Sequence, residues 1–318
     1  MKYLQLALAA SIVLVGCGSE PSGTAGSGGN AGSGGTGGTG GTVRACATDI
    51  AVGEVQAFGP PMLFRTEGIT FDATGRLFVS ALDDAPSSND QLLEIMTDGS
   101  SEVVAEADSL LGIASDARGI VAAGIDTGEL LLIHPDTGTN EVIASGLGAP
   151  NFVAITPWDT ILVSDDTRGE NTIDEVTWEG AVSTWVQGVP TPNGMVFSLD
   201  AGTLYVASTF EEIGLWRVPV DQSGAAGTPE KWVTFPLATT PDGVAIDSEG
   251  NVYVALNIAG QIAKVTPDGA FTILAGGVYA AASLAFGQGD FDPCSLYVTS
   301  LLGTQLWRVG TGVPGVEN

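Results

Sequence analysis

Residues 193–208 read NGMVFSLDAGTLYVAS, and residues 242–255 read DGVAIDSEGNVYVA. Each is a polar residue followed by glycine, a short apolar run, a turn rich in Asp, Ser and Gly, and a second apolar run. Two apolar runs joined by such a turn are the signature of a β-hairpin. The unit occurs four more times: EGITFDATGRLFVS at 67–80, LGIASDARGIVAAG at 111–124, NFVAITPWDTILVS at 151–164 and, with a longer turn, ASLAFGQGDFDPCSLYVTS at 282–300. Starts at 67, 111, 151, 193, 242 and 282 place one unit every 40 to 49 residues. A second hairpin follows most of them, as in GELLLIHPDTGTNEVIA at 128–144 and QIAKVTPDGAFTIL at 261–274. Four strands in that span make one propeller blade. The chain is therefore read as all-β, a six-bladed β-propeller with four-stranded blades. The sixth unit supplies only TQLWRVG at 304–310 after its hairpin, so it lacks an outer strand. The segment 43–58 has no other partner, and it is predicted to complete the last blade and close the ring, which removes exposed sheet edges.

The first strand of every blade lines the axis of a propeller, so equivalent positions converge there at one height. The residues that open the six units are Glu67, Leu111, Asn151, Asn193, Asp242 and Ala282. Four carry oxygen donors, two carboxylates and two amides. Such a set suits a hard dication, above all Ca²⁺, which takes six to eight oxygens and leaves room for water and substrate. Another divalent cation remains open, but no Cys/His set favours zinc. The competing reading is a set of polar residues wetting a water-filled channel. The second strand returns to the same mouth, so Asp165, Asp166, Thr209, Asn257 and Ser300 border it. Asp165 or Asp166 is a candidate general base, or the pair caps the loop. The turn acids Asp72, Asp116 and Asp247 read as turn chemistry. His134 reads as a surface residue, and Trp216 and Trp307 as packing between blades.

Composition narrows the partners. The 318 residues carry a formal net charge of −27 with 10 Lys and Arg, so a basic groove for nucleic acid is excluded. Residues 1–16, MKYLQLALAASIVLVG, have the anatomy of a signal peptide. LVGC at 14–17 resembles the lipobox of bacterial lipoproteins, which implies cleavage before Cys17 and lipid attachment to it. Gly18 is a residue that permits sorting to the outer membrane of Gram-negative bacteria. Residues 17–42, the lipidated Cys and a Gly/Ser/Thr-rich stretch, form a tether with too little apolar surface to fold. It reaches about 25–30 Å. The expected location is the cell envelope, facing the periplasm or the cell surface, with the monomeric propeller at 43–318. Cys46 and Cys294 then remain, at opposite ends of the domain. In an oxidising compartment they form a disulfide, worth on the order of 4–5 kcal/mol for so long a loop. The alternative is two buried free thiols.

TPNGMVFSLDAGTLYVAST at 191–209, PDGVAIDSEGNVYVA at 241–255, EGITFDATGRLFV at 67–79 and SLAFGQGDFDPCSLYVTSLLGTQLWRV at 283–309 resemble the SMP-30/gluconolactonase/luciferin-regenerating-like family of six-bladed propellers. The likeness spans roughly 43–318. It implies a catalytic divalent ion, usually Ca²⁺, held by Glu67, Asn193 and Asp242, with Asn151 matching the third-blade Asn. Gluconolactonase-type members carry an Arg two residues before that Asn. Ala149 stands there in this chain, which argues against a sugar acid lactone. A paraoxonase-like His dyad is impossible with one His. The resemblance implies a Ca²⁺-dependent hydrolase acting on a small-molecule lactone or related ester. Asp242 serves as ligand and as base or nucleophile. The alternative is a non-catalytic propeller that binds a ligand or protein at the envelope, because the fold serves both roles.

Overall fold

A computed structural model of the chain describes residues 45–62, 64–83 and 89–316. The leader, Cys17 and the Gly-rich stretch lie outside the described residues. The described strands form six antiparallel sheets of four. In five of them the strands follow one another in sequence order. In the sixth, the N-terminal strand Val55–Phe58 pairs antiparallel with Leu306–Gly310 and takes the outer place that the last unit leaves open. The inner strands of successive blades touch one another around a closed circuit, the sixth meeting the first. The predicted six-bladed propeller and its closing strand are thus both present.

Alternation along each strand puts apolar residues between blades, and the core is divided accordingly into six clusters. Phe78 and Leu92 of blade 1 pack with Ile120 and Leu131 of blade 2. Trp216 of blade 4 packs with Leu162 and Ile173 of blade 3, and Trp307 packs on the cluster between blades 5 and 6. Phe71 and Leu77 of blade 1 meet Phe291 and Tyr297 of blade 6, so the seam between first and last blades is as well filled as the others. The turn acids do what Asp does in a turn: Asp72 Oδ1 accepts from the N–H groups of Thr74 and Arg76, and Asp247 Oδ1 from those of Glu249 and Asn251. His134 lies on an outer hairpin, 41% exposed, with Nε2 3.8 Å from Glu141.

The seam has a second fastening. Cys46 is bonded to Cys294 across 248 residues, with the Cα atoms 5.1 Å apart. Beside it, the Arg308 guanidinium donates to both oxygens of Asp49 and to Asp292, while Asp292 also accepts from the Ala47 amide. The N-terminal segment is therefore held by a sheet pairing, a covalent link and a charged fork. Peptide mapping under non-reducing conditions is expected to recover one Cys46–Cys294 cross-link from protein exported to an oxidising compartment. Replacing both by Ser should lower the unfolding free energy by about 2–5 kcal/mol. Recovery of both thiols free would remove the covalent part of the seam.

Candidate metal centre and active site

Glu67, Asn193 and Asp242 occupy the inner strands of blades 1, 4 and 5, and Asn151 stands just before that of blade 3. In blades 1, 4 and 5 the register between the first and second strands shifts at the residue concerned and the glycine after it. A β-bulge inserts an unpaired residue and re-aims its side chain. The glycine is needed for a different reason. A Cβ on Gly194 would lie 2.4 Å from the Asp242 carbonyl oxygen, and one on Gly68 2.4 Å from that of Leu111. Neighbouring inner strands approach so closely here that a side chain has no room.

Hydroxyl groups on the second strands lock the level of these residues. Ser80 Oγ accepts from the Gly68 N–H (2.7 Å) and donates to the Leu111 carbonyl of the next blade (2.6 Å). Ser164 links Phe152 to the Asn193 carbonyl in the same way (3.3 and 2.8 Å). Thr299 accepts from Ser283 (2.9 Å) and donates to the Glu67 carbonyl, carrying the belt across the seam. In blade 2 the Gly112 N–H reaches the Asn151 carbonyl directly at 2.9 Å. Thr191 and Thr240, each two residues before a candidate ligand, have φ of 41° and 46°. This left-handed conformation is costly for a β-branched residue and concentrates at functional sites. Each hydroxyl accepts from the loop that follows a second strand: Thr191 from Phe210 and Glu211, Thr240 from Ile258.

The four side chains are buried, at 2–6% exposure, and each keeps one oxygen without a hydrogen-bond partner: Glu67 Oε2, Asn151 Oδ1, Asn193 Oδ1 and Asp242 Oδ1. An unsatisfied buried polar group costs about 1–3 kcal/mol, more when charged. Four such oxygens, one per residue, are a donor set that fits a cation. The second Asp242 oxygen and the amide nitrogens of Asn193 and Asn151 have partners. Asn257 Nδ2 donates to Asp242 Oδ2 at 3.0 Å. Asn193 Nδ2 donates to Thr209 Oγ1 (3.2 Å) and to Asp166 Oδ2 (3.4 Å), and Thr209 donates to the Pro241 carbonyl. Hard oxygens alone, with two formal charges, fit Ca²⁺ or a similar hard dication. Among the described residues no three His, Cys, Asp or Glu form a metal cluster; the set here mixes carboxylates with amides.

The structure separates the two adjacent aspartates. Asp165 accepts from the backbone amides of Ala149 (2.8 Å) and Thr167 (2.9 Å), so its carboxylate caps the loop. Asp166 turns toward the four side chains. Burial pushes its carboxyl up to about 6, against hydrogen bonding from Asn151. Burial, reinforced by the charge of Asp166, pushes Glu67 up to about 8. Burial and the nearby Glu67 and Asp166 push Asp242 well above the ordinary carboxylate range. Leu111 and Ala282 fill the two remaining axial positions, both buried. On the far side of this level the channel widens to a chamber of about 360 Å³, lined by Ile69, Phe152, Met195 and Phe286 among others. The sequence reading puts Asn257 at the mouth but does not give its bond to Asp242, and it does not pick out Thr240 or the bulge glycines as parts of the site. Their signal is the repeated Thr-Pro-Asn-Gly and Thr-Pro-Asp-Gly at 191–194 and 240–243.

Fold and geometry define a class: six-bladed propellers with an axial pocket lined by buried oxygen donors. Residues 66–301 match the model of the SMP-30/gluconolactonase/LRE-like region, and the chain belongs to that family. It is 30% identical to the pentonolactonase XacC of Haloferax volcanii over 211 residues, 64% of this chain and 67% of that one. Two solved structures share the fold. One is a calcium-binding protein, regucalcin, of Agrobacterium tumefaciens (22% identity, 81% of this chain and 93% of that one, TM-score 0.67). The other is a gluconolactonase of Xanthomonas campestris (19%, 86% and 99%, TM-score 0.67).

The raised carboxyls set the pH response of the cation-free protein. The ordinary value for Glu67 is 4.5, below its folded value. The unfolded chain therefore gives up its proton first, so the contribution to stability is fully present below about pH 4.5 and is lost as pH rises through about 8. In chelator the melting temperature should fall between about pH 5 and pH 8, saturating Ca²⁺ at pH 8 should restore it, and Glu67→Gln should flatten the fall. A profile flat in chelator would count against three carboxylates sharing one buried site.

Proposed function

We propose that the protein is a divalent-cation-dependent hydrolase of lactones or related esters, with Glu67, Asn151, Asn193 and Asp242 holding the cation, most simply Ca²⁺. The observation that carries the reading is the set of four partnerless buried oxygens beside a fifth group, Asp166, whose carboxylate meets the Asn193 amide. Lactone hydrolysis is favoured by the relative named a pentonolactonase and by the structural neighbour described as a gluconolactonase. A cation bound here would polarise the lactone carbonyl and stabilise the developing oxyanion.

The remaining steps belong to the chain. Asn193, with Asn151, orients the Asp166 carboxylate. Asp166 takes a proton from the attacking water as its oxygen bonds to the carbonyl carbon. The ring carbon–oxygen bond then breaks, and Asp166 returns the proton to the departing alkoxide, which gives the hydroxy acid. Asn257 fixes Asp242 so that one of its oxygens stays turned to the axis. Asp165 has no part in the chemistry in this scheme, since two amides already occupy its oxygens. Location at the envelope rests on the leader reading, and Cys17→Ser should release the protein from the membrane fraction.

Calorimetric titration of chelator-treated protein should give one divalent ion per chain. Asp242→Ala or Glu67→Ala removes a ligand and a neutralising charge together and should abolish binding, whereas Asn151→Ala weakens it. Asp166→Asn should lower kcat on lactones by about 10²–10⁴ while costing no more than about 10–100-fold in cation affinity. If Ca²⁺, Mg²⁺, Mn²⁺ and Zn²⁺ all fail to bind, and both carboxylate variants behave as the parent, a non-catalytic binding propeller becomes the better reading.

A further inference from the structure

Outside blade 1, the loops that open onto the level of these side chains fall into two groups. Those of blades 2 to 4 carry Asp126, Asp165, Asp166, Glu170, Glu211 and Glu212, against Arg168, whose guanidinium lies over the Phe210 ring. Those from the end of blade 4 round to blade 6 read FPLATT at 235–240, NIAG at 257–260, GVYA at 277–280 and LLGTQ at 301–305, with no charged residue. Each of these four exposes one large apolar side chain: Leu237 at 89%, Ile258 at 49%, Tyr279 at 63% and Leu302 at 39%. Single exposed apolar residues are ordinary, but four on consecutive loops around one mouth form a patch.

The patch is continuous with the site. Ile258 follows Asn257, which donates to Asp242 and also reaches the Ala280 carbonyl beside Tyr279 at 3.4 Å. The Ile258 amide donates to Thr240, two residues before Asp242. The Tyr279 carbonyl accepts from Ser300 Oγ at 2.7 Å, and Leu302 follows two residues on. The hydrogen bonds that position Asp242 thus also position the apolar rim.

We infer that the preferred substrate is an uncharged lactone bearing an apolar chain, with the ring at the cation level and the chain along Leu237, Ile258, Tyr279 and Leu302. The inference rests on the hydrolase reading above and names its substrate class. The acidic sector repels a carboxylate- or sulfonate-bearing ligand, and the cation beside the neutral sector, Arg65, has its guanidinium turned to the Leu301 carbonyl at 3.2 Å. Each methylene laid on the patch leaves water.

The test compares γ-lactones of four, eight and twelve carbons with an aldonolactone, in the parent and in a Leu237→Ser/Tyr279→Ser variant. Both positions are exposed and outside the catalytic machinery. In the parent, kcat/KM should rise by about two- to fourfold per added methylene, the upper value corresponding to full burial at ~0.8 kcal/mol per CH₂. The variant should keep the parent's rate on the four-carbon lactone and lose most of the chain-length dependence. Binding of the same lactones, followed by ligand-observed NMR, separates the two readings: chain-dependent binding that the variant abolishes supports the apolar subsite even if no lactone is hydrolysed. Equal rates and equal binding at all chain lengths, or preference for the aldonolactone, overturns the inference. So does a result in which the two substitutions alter flotation with neutral phospholipid vesicles but not the handling of any lactone, because the rim would then be a membrane contact.

Discussion

Three carboxylates, Glu67, Asp166 and Asp242, have their affinity for protons raised by burial, and the Asp166 charge adds to the rise at Glu67 while those of Glu67 and Asp166 add to it at Asp242. No fold gathers such groups for stability. Burial disfavours each charge, and each charge disfavours the next. Two lie on strands of different blades and the third on a loop of another, 99, 76 and 175 residues apart in sequence (166 − 67, 242 − 166 and 242 − 67), so local conformation cannot bring them together. Only the closed ring does, which makes ring closure the prior condition of the site. The paired N-terminal strand, the Cys46–Cys294 link and the Arg308 fork all sit on the one seam where closure is not covalent along the chain.

Around the axis the device is repeated with variations. A residue of each inner strand is fixed by its backbone: its carbonyl receives a hydroxyl or an N–H from the blade before it in the cases of Glu67, Leu111, Asn151 and Asn193. The close approach that this requires explains the glycine after Glu67, Leu111, Asn193 and Asp242. Strain is accepted at Thr191 and Thr240, where each left-handed residue puts a hydroxyl under the neighbouring loop. Holding a polar residue at an exact height on the axis costs conformational energy, and the inter-blade core supplies it.

Much of this was legible in the sequence because a repeat exposes equivalence. The six units share a turn, so Glu67, Asn151, Asn193 and Asp242 stand at one position of the repeat, and the missing outer strand of the sixth unit points to residues 43–58. What stayed hidden depended on directions rather than positions. Asp165 and Asp166 are neighbours at the end of one strand, and only the course of the loop decides that the first meets backbone amides while the second meets Asn193. Asn257 was placed at the mouth by the hairpin geometry, but its bond to Asp242 depends on a side-chain rotamer. The bulges were written in the residue pairs Glu-Gly, Asn-Gly and Asp-Gly, which read equally well as turn chemistry.

The belt also shows why this fold can change its chemistry without rebuilding itself. Ser80 donates to the carbonyl of Leu111 just as Ser164 donates to that of Asn193. The contact that sets the height of an axial residue is made to its backbone and is indifferent to its side chain. Leu111 and Ala282 therefore occupy the same kind of place as the four oxygen donors, and their presence leaves part of the ring's wall without ligands. A cation held from blades 1, 3, 4 and 5 has one protein donor per blade, which falls short of the six to eight oxygens that Ca²⁺ takes. In the proposed function that shortfall would leave positions for water and a carbonyl oxygen. Had all six units carried carboxylates, the charge would have exceeded that of any single dication and the coordination would have been filled by protein. The asymmetry among six nearly equivalent positions is thus the physical source of an open site, and the loops above it decide which molecule can approach.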